Sequence, residues 1–165
     1  MKNNKGISLI TLIVMIVIMI ILASIAINVG TSSYENALES KAAAEKQQVT
    51  TAVSDRFGDN QRNSTANPIV GLLVPEENRG TEDEIYFYLI SKLKNDYGKL
   101  ITDDEIENKT QQKQIESFVK DNFEDMEYTR ILVYNDLIEL GMEITNLNAV
   151  YVVNYYSSDV VGPIS

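Results

Sequence analysis

Residues Ile7 to Ile27 form an uncharged run of 21 residues dominated by Ile, Leu, Val and Met. A six-residue leader, Met1 to Gly6, precedes it and carries Lys2 and Lys5. As a helix rising about 1.5 Å per residue, the run spans roughly 31 Å, close to the ~30 Å hydrocarbon thickness of a bilayer. A helix that is apolar all round must be covered by lipid or by other apolar surfaces. The segment therefore constrains the chain before anything else does: residues 1–6 read as a basic leader and 7–27 as a transmembrane or assembly-core helix.

Charge is distributed around this run in a telling way. Residues 1–6 carry +2, residues 7–34 carry none, residues 35–57 carry −1 and the remainder carries −11. Positive charge before a span and acid after it place the N-terminus in the cytoplasm and the C-terminal domain outside, as a single-pass protein of the cell membrane. The acidic domain has no basic stretch, which argues against a nucleic-acid partner. The chain has no cysteine and no histidine. That excludes disulfides, Cys/His zinc sites and catalysis by thiol or imidazole. The acid clusters Asp103/Asp104/Glu105 and Glu124/Asp125/Glu127 lack the spacing and glycine of a calcium loop and suit solvated helix starts equally well. No metal, no cofactor and no enzymatic activity is expected.

The ends of the apolar run decide between fates. A secretory cut after Ser24-Ile25-Ala26 would require an apolar core of ~7–15 residues, and this one is too long. The other candidate cut lies before the run. Gly6-Ile7-Ser8-Leu9-Ile10-Thr11-Leu12 and, in register without a gap, Ile21-Leu22-Ala23-Ser24-Ile25-Ala26-Ile27-Asn28 resemble the class III signal of type IV pilins and type II secretion pseudopilins. The resemblance covers about 28 residues. It implies cleavage after Gly6 by a prepilin peptidase and N-methylation of the new terminus, Ile7. Glycine suits such a site physically, because a residue without Cβ lets a protease approach the backbone closely.

Two positions depart from the family pattern. Thr11 stands where the family has a glutamate that pairs with the terminal ammonium of a neighbouring subunit. Such a pair at ~4 Å is worth roughly 4 kcal/mol before desolvation at an effective dielectric near 20. A threonine hydroxyl accepts a hydrogen bond but brings no charge. Asn28 replaces a proline, and the stretch Asn28-Val29-Gly30-Thr31-Ser32-Ser33 is a poor helix interior. A helix break is expected at Asn28 and Gly30, with a restart at the Ser32/Glu35 capping-box spacing.

Residues 28–57 read as an amphipathic stem, with Tyr34, Leu38, Ala42, Val49, Val53 and Phe57 near one face. The polar segment from Gly58 to Pro68 reads as a loop. Beyond it, Ile69–Val74 is a strand candidate. A helix opens at Thr81 or Glu82, carries the stripe Ile85, Leu89, Leu93 and ends near Gly98. A second helix starts at Thr102-Asp103-Asp104-Glu105, its apolar side supplied by Ile115, Phe118, Val119 and Phe123. Arg130–Tyr134, Ala149–Tyr156 and Val160-Val161 are strand candidates. The expected fold is α+β: a long N-terminal helix packed on a small acidic domain, residues 58–165, of helices and an antiparallel sheet.

These readings converge on a structural subunit of a type IV pilus-like or pseudopilus filament, assembled through its N-terminal helix. By resemblance its partners are the prepilin peptidase, like or related subunits, the membrane, and an assembly ATPase with its platform. The alternative is a single-pass surface binding module that does not polymerise.

Overall fold

The computed structural model describes residues 9–100, 106–144 and 146–164, and the side chains of these except 9–11, 24–32 and 106–108. Two compact units result, Met1–Lys41 and Ala42–Ser165. Helix α1, Leu9–Arg62, contributes residues to both. It passes through Asn28 and Gly30 as unbroken helix, so the break expected there does not occur. A glycine costs about 1 kcal/mol against alanine in a helix, and the neighbouring Asn, Thr and Ser cost less. Once a long helix is nucleated, cooperative propagation carries it across so short a weak stretch. The loop expected from Gly58 likewise begins only after Arg62. Asn63 ends the helix: its side-chain Oδ1 accepts from Ala66 N–H, while Asn60 Nδ2 donates to the Asn67 carbonyl at 2.8 Å.

The C-terminal unit is α+β. Its four strands, β1 (Leu72–Leu73), β2 (Thr129–Leu132), β3 (Tyr151–Asn154) and β4 (Val160–Val161), form one antiparallel sheet in sequential order. Helices α2 (Glu82–Asn95) and α3 (Ile106–Asp121) lie between β1 and β2 in sequence, and α4 (Tyr134–Glu139) between β2 and β3. The expected first strand shrinks to two exposed residues at the sheet edge, a short edge that offers little template for further pairing. The second ends earlier than expected, because Tyr134 opens α4; there the Asp136 carboxylate accepts from Val133 N–H at 2.9 Å.

Side chains alternate across a strand, and every residue of β3 is buried, so the sheet has a core on each face. Ile131, Val152 and Val161 point into one cluster with Ile85, Leu89 and Leu93 of α2 and Ile115, Phe118 and Val119 of α3. Leu132, Tyr151, Val153, Tyr155 and Val160 point into the other, which includes Val49 and Val53 of α1 and Leu137 of α4. The α2 stripe is buried as its i, i+4 spacing predicts. Thr81 caps that helix with a full capping box, its hydroxyl accepting from Glu84 N–H at 3.2 Å and the Glu84 carboxylate accepting from Thr81 N–H at 3.1 Å. Phe123, expected on the apolar side of α3, instead sits beyond its end and is exposed. The expected start of that helix at residues 102–105 lies outside the described residues.

At Gly71 the backbone takes φ +102°, and a Cβ would lie 2.5 Å from Leu132 Cδ2 and 2.9 Å from the Ile131 carbonyl. Only glycine allows the chain to enter the sheet edge that closely. At the opposite end of β3, buried Asn154 joins three segments. Its Nδ2 donates to the Asp125 carbonyl and to Thr129 Oγ1, and its Oδ1 accepts from the N–H groups of Tyr156 and Ser157.

Candidate functional site

The N-terminal part of α1 presents an unbroken row of exposed apolar side chains. From Leu12 to Leu22 each large aliphatic side chain is between 49% and 71% exposed. Exposure is similar on all sides, so this surface is a cylinder with no inward face. Contiguous apolar areas beyond a few hundred Å² mark interaction or membrane surfaces. Covering each Leu or Ile is worth roughly 1.5–3 kcal/mol when water is the alternative. The described apolar side chains run from residue 12 to 23, roughly 18 Å of helix. Among the described residues, no helix is long and apolar enough to cross a membrane. Gly6 and Ile7, the residues of the expected cut, lie outside the described residues. Thr11, Asn28 and Gly30 lie within α1, and their side chains lie outside the description.

Of the stem face, Tyr34 and Leu38 are exposed, Ala42 is half-buried and Val49 and Val53 are fully buried. The apolar stripe is thus covered only from its middle outward. Arg56 secures that covered part. Its Nη1 donates to the Pro68 carbonyl at 3.3 Å and its Nη2 to the Glu139 carbonyl at 2.7 Å, with the Glu139 carboxylate 3.9 Å away. Beside it runs a cleft of about 550 Å³, lined by Gln48, Asp55, Asp59, Met142 and Glu143 among others. Among the described residues no group of acids is placed to hold a metal ion. Glu124, Asp125 and Glu127 fall on a 3₁₀ segment, Phe123–Tyr128, whose backbone kinks at Asp125; Asp103, Asp104 and Glu105 lie outside the described residues.

The tyrosines divide between core and surface. Tyr155 is fully buried and its hydroxyl donates to the Val70 carbonyl at 3.2 Å. Burial pushes its pKa up, against the opposing pull of Arg56 and of that bond. Tyr151 is equally buried, and burial, aided by Glu45, pushes its hydroxyl up to about 12. The next residue after Tyr155 points the other way: Tyr156 is 58% exposed. It stacks on Tyr128 with ring centres 5.6 Å apart and planes at 27°. Phe57 of α1 stands perpendicular to both, at 5.5 Å from Tyr128 and 6.1 Å from Tyr156. The meeting of these three rings is not foreshadowed by any expectation drawn from the sequence. The available signal was the Tyr155-Tyr156 pair at a strand end, where alternation sends one ring inward and one outward.

No protein-family profile, curated protein or solved structure matches this chain. The C-terminal unit is an α+β domain with one antiparallel sheet, and the described N-terminal part of α1 is apolar and exposed.

Proposed function

We propose that this chain is a structural subunit of a type IV pilus-like or pseudopilus filament, cleaved after Gly6 and assembled through its N-terminal helix. The single observation that carries the reading is the apolar cylinder of α1, exposed on every side from Leu12 to Leu22. Together with the uncharged run Ile7–Ile27 in the sequence, it calls for a cover of lipid before assembly and of neighbouring helices after it. The acidic C-terminal domain faces the outside, seated on the distal part of α1. Extraction from lipid gains little hydrophobic free energy, because helix association there rests on packing rather than transfer from water. An assembly ATPase and its platform therefore supply the work, and a prepilin peptidase supplies the mature terminus at Ile7.

The test is the intact mass of the protein isolated from its own cells. Loss of residues 1–6 with one added methyl group is the expected result. A chain that retains its leader overturns the filament reading and favours a membrane-anchored binding module. Electron microscopy of sheared surface material then tests polymerisation directly.

A further inference from the structure

We propose that the Phe57–Tyr128–Tyr156 platform, with the Glu127 carboxylate beside it, docks a cationic side chain, guanidinium or ammonium, carried by a basic segment of a partner protein. The inference stands independently of the filament reading. Three elements far apart in sequence bring the rings together: the distal part of α1, the end of the 3₁₀ segment before β2, and the residue two beyond β3. Each pair of rings is within 6.1 Å, and Tyr156 remains 58% exposed although it lies next to a fully buried tyrosine. Ring faces carry negative quadrupole potential, which attracts a cation held within about 6 Å of the ring centre.

Charge around the platform has the matching sign. The nearby carboxylates of Glu127 and, less strongly, Asp125 push the pKa of the Tyr128 hydroxyl up. The two guanidinium groups close in sequence are both engaged, and Arg130 lies near Glu127 and offsets part of its charge. Arg56 is held by the Pro68 and Glu139 carbonyls, and Arg130 donates to the Glu127 and Thr129 carbonyls at 2.6 and 2.9 Å. An aromatic surface flanked by carboxylates, on a domain of net charge −11 from residue 58 onward, selects a cation over an anion or a neutral group.

The experiment titrates the full chain, in nonionic detergent micelles, with the peptide acetyl-Gly-Arg-Gly-amide while tyrosine ring resonances are followed by NMR. The control peptide carries citrulline, which keeps the shape of arginine without its charge. Saturable shifts at Tyr156 and Tyr128 are expected, with the citrulline peptide about two- to fivefold weaker. Glu127→Gln should weaken the arginine peptide by a similar factor and Tyr156→Ala should abolish the shift at Tyr128. Phe87→Ala, which removes an exposed ring on α2, should leave binding unchanged. Equal binding of the two peptides, an absence of saturation, or an equal loss in Phe87→Ala overturns the proposal.

Discussion

Leu89→Ala and Phe87→Ala, two residues apart on α2, should differ in cost in the opposite order to the size of the side chain removed. Leu89 is fully buried against β2, β3 and α3 residues, between Ile85 and Leu93 on one face. Removing its isopropyl end deletes three carbons, roughly 2.4 kcal/mol of transfer free energy at about 0.8 per methylene. A residual void of about 50 Å³ adds roughly 1.2 kcal/mol at ~24 cal/mol per Å³. The expected loss is therefore about 3.6 kcal/mol, inside the roughly 2–5 kcal/mol range of core Leu→Ala changes. Phe87 is 66% exposed, its main ring neighbour being Tyr86 at 5.6 Å. Its removal should stay within about 0.5 kcal/mol. Near-UV circular dichroism in urea is the assay. The chain has no tryptophan, and the fully buried Tyr151 and Tyr155 report on the packing of the C-terminal unit. With a slope of about 1–3 kcal/mol per molar urea, the midpoint of Leu89→Ala should fall by about 1.2–3.6 M at unchanged slope. A loss below about 1 kcal/mol for Leu89→Ala, or an equal loss for Phe87→Ala, would refute the assignment of the α2 stripe to the core.

Gly71→Ala should destabilise by more than about 2 kcal/mol, because its Cβ meets Leu132 and the Ile131 carbonyl at a φ that alanine resists; the same urea assay checks it. Stability should be at its full value below pH 10 and decline between about pH 10 and 12. Unfolded tyrosines lose protons near 10 while Tyr151 holds its proton to about 12 and Tyr155 is also raised, so rising pH favours the unfolded chain. A flat urea midpoint from pH 9 to 12 would count against this, and Tyr151→Phe with Tyr155→Phe should flatten it. On the proposed filament reading, Thr11→Glu supplies the charge that the resembling families place there, and filament yield measured by shearing should rise; unchanged yield would show that Thr11 does not weaken subunit register.

The C-terminal fold was legible where a side-chain period ran long enough to declare itself. The α2 stripe Ile85, Leu89, Leu93 and its Thr81 cap follow directly from i, i+4 spacing and capping chemistry. Strands β3 and β4 follow from β-branched and aromatic content; β4 spans Val160–Val161 as expected, and β3 is shorter at both ends than the expected Ala149–Tyr156. Three features were not legible. The continuity of α1 across Asn28 and Gly30 depends on cooperativity over the whole helix rather than on local propensity. The exposed state of β1 depends on its place at the sheet edge. Helix α4 is only six residues long, too short for a period to show.

By itself the sequence determined the apolar run, the two lysines before it, the sign of charge on either side and the absence of thiol and imidazole chemistry. These are properties of residue type and local order, and no folding can alter them. Only the tertiary structure decided which apolar residues are covered. Val49 and Val53 are buried while Tyr34 and Leu38, on the same stripe, are not. It also decided that Phe57, Tyr128 and Tyr156 meet. Burial and ring contact depend on what distant segments bring to a place, and the sheet registers β2 to β3 and β3 to β4 set those places.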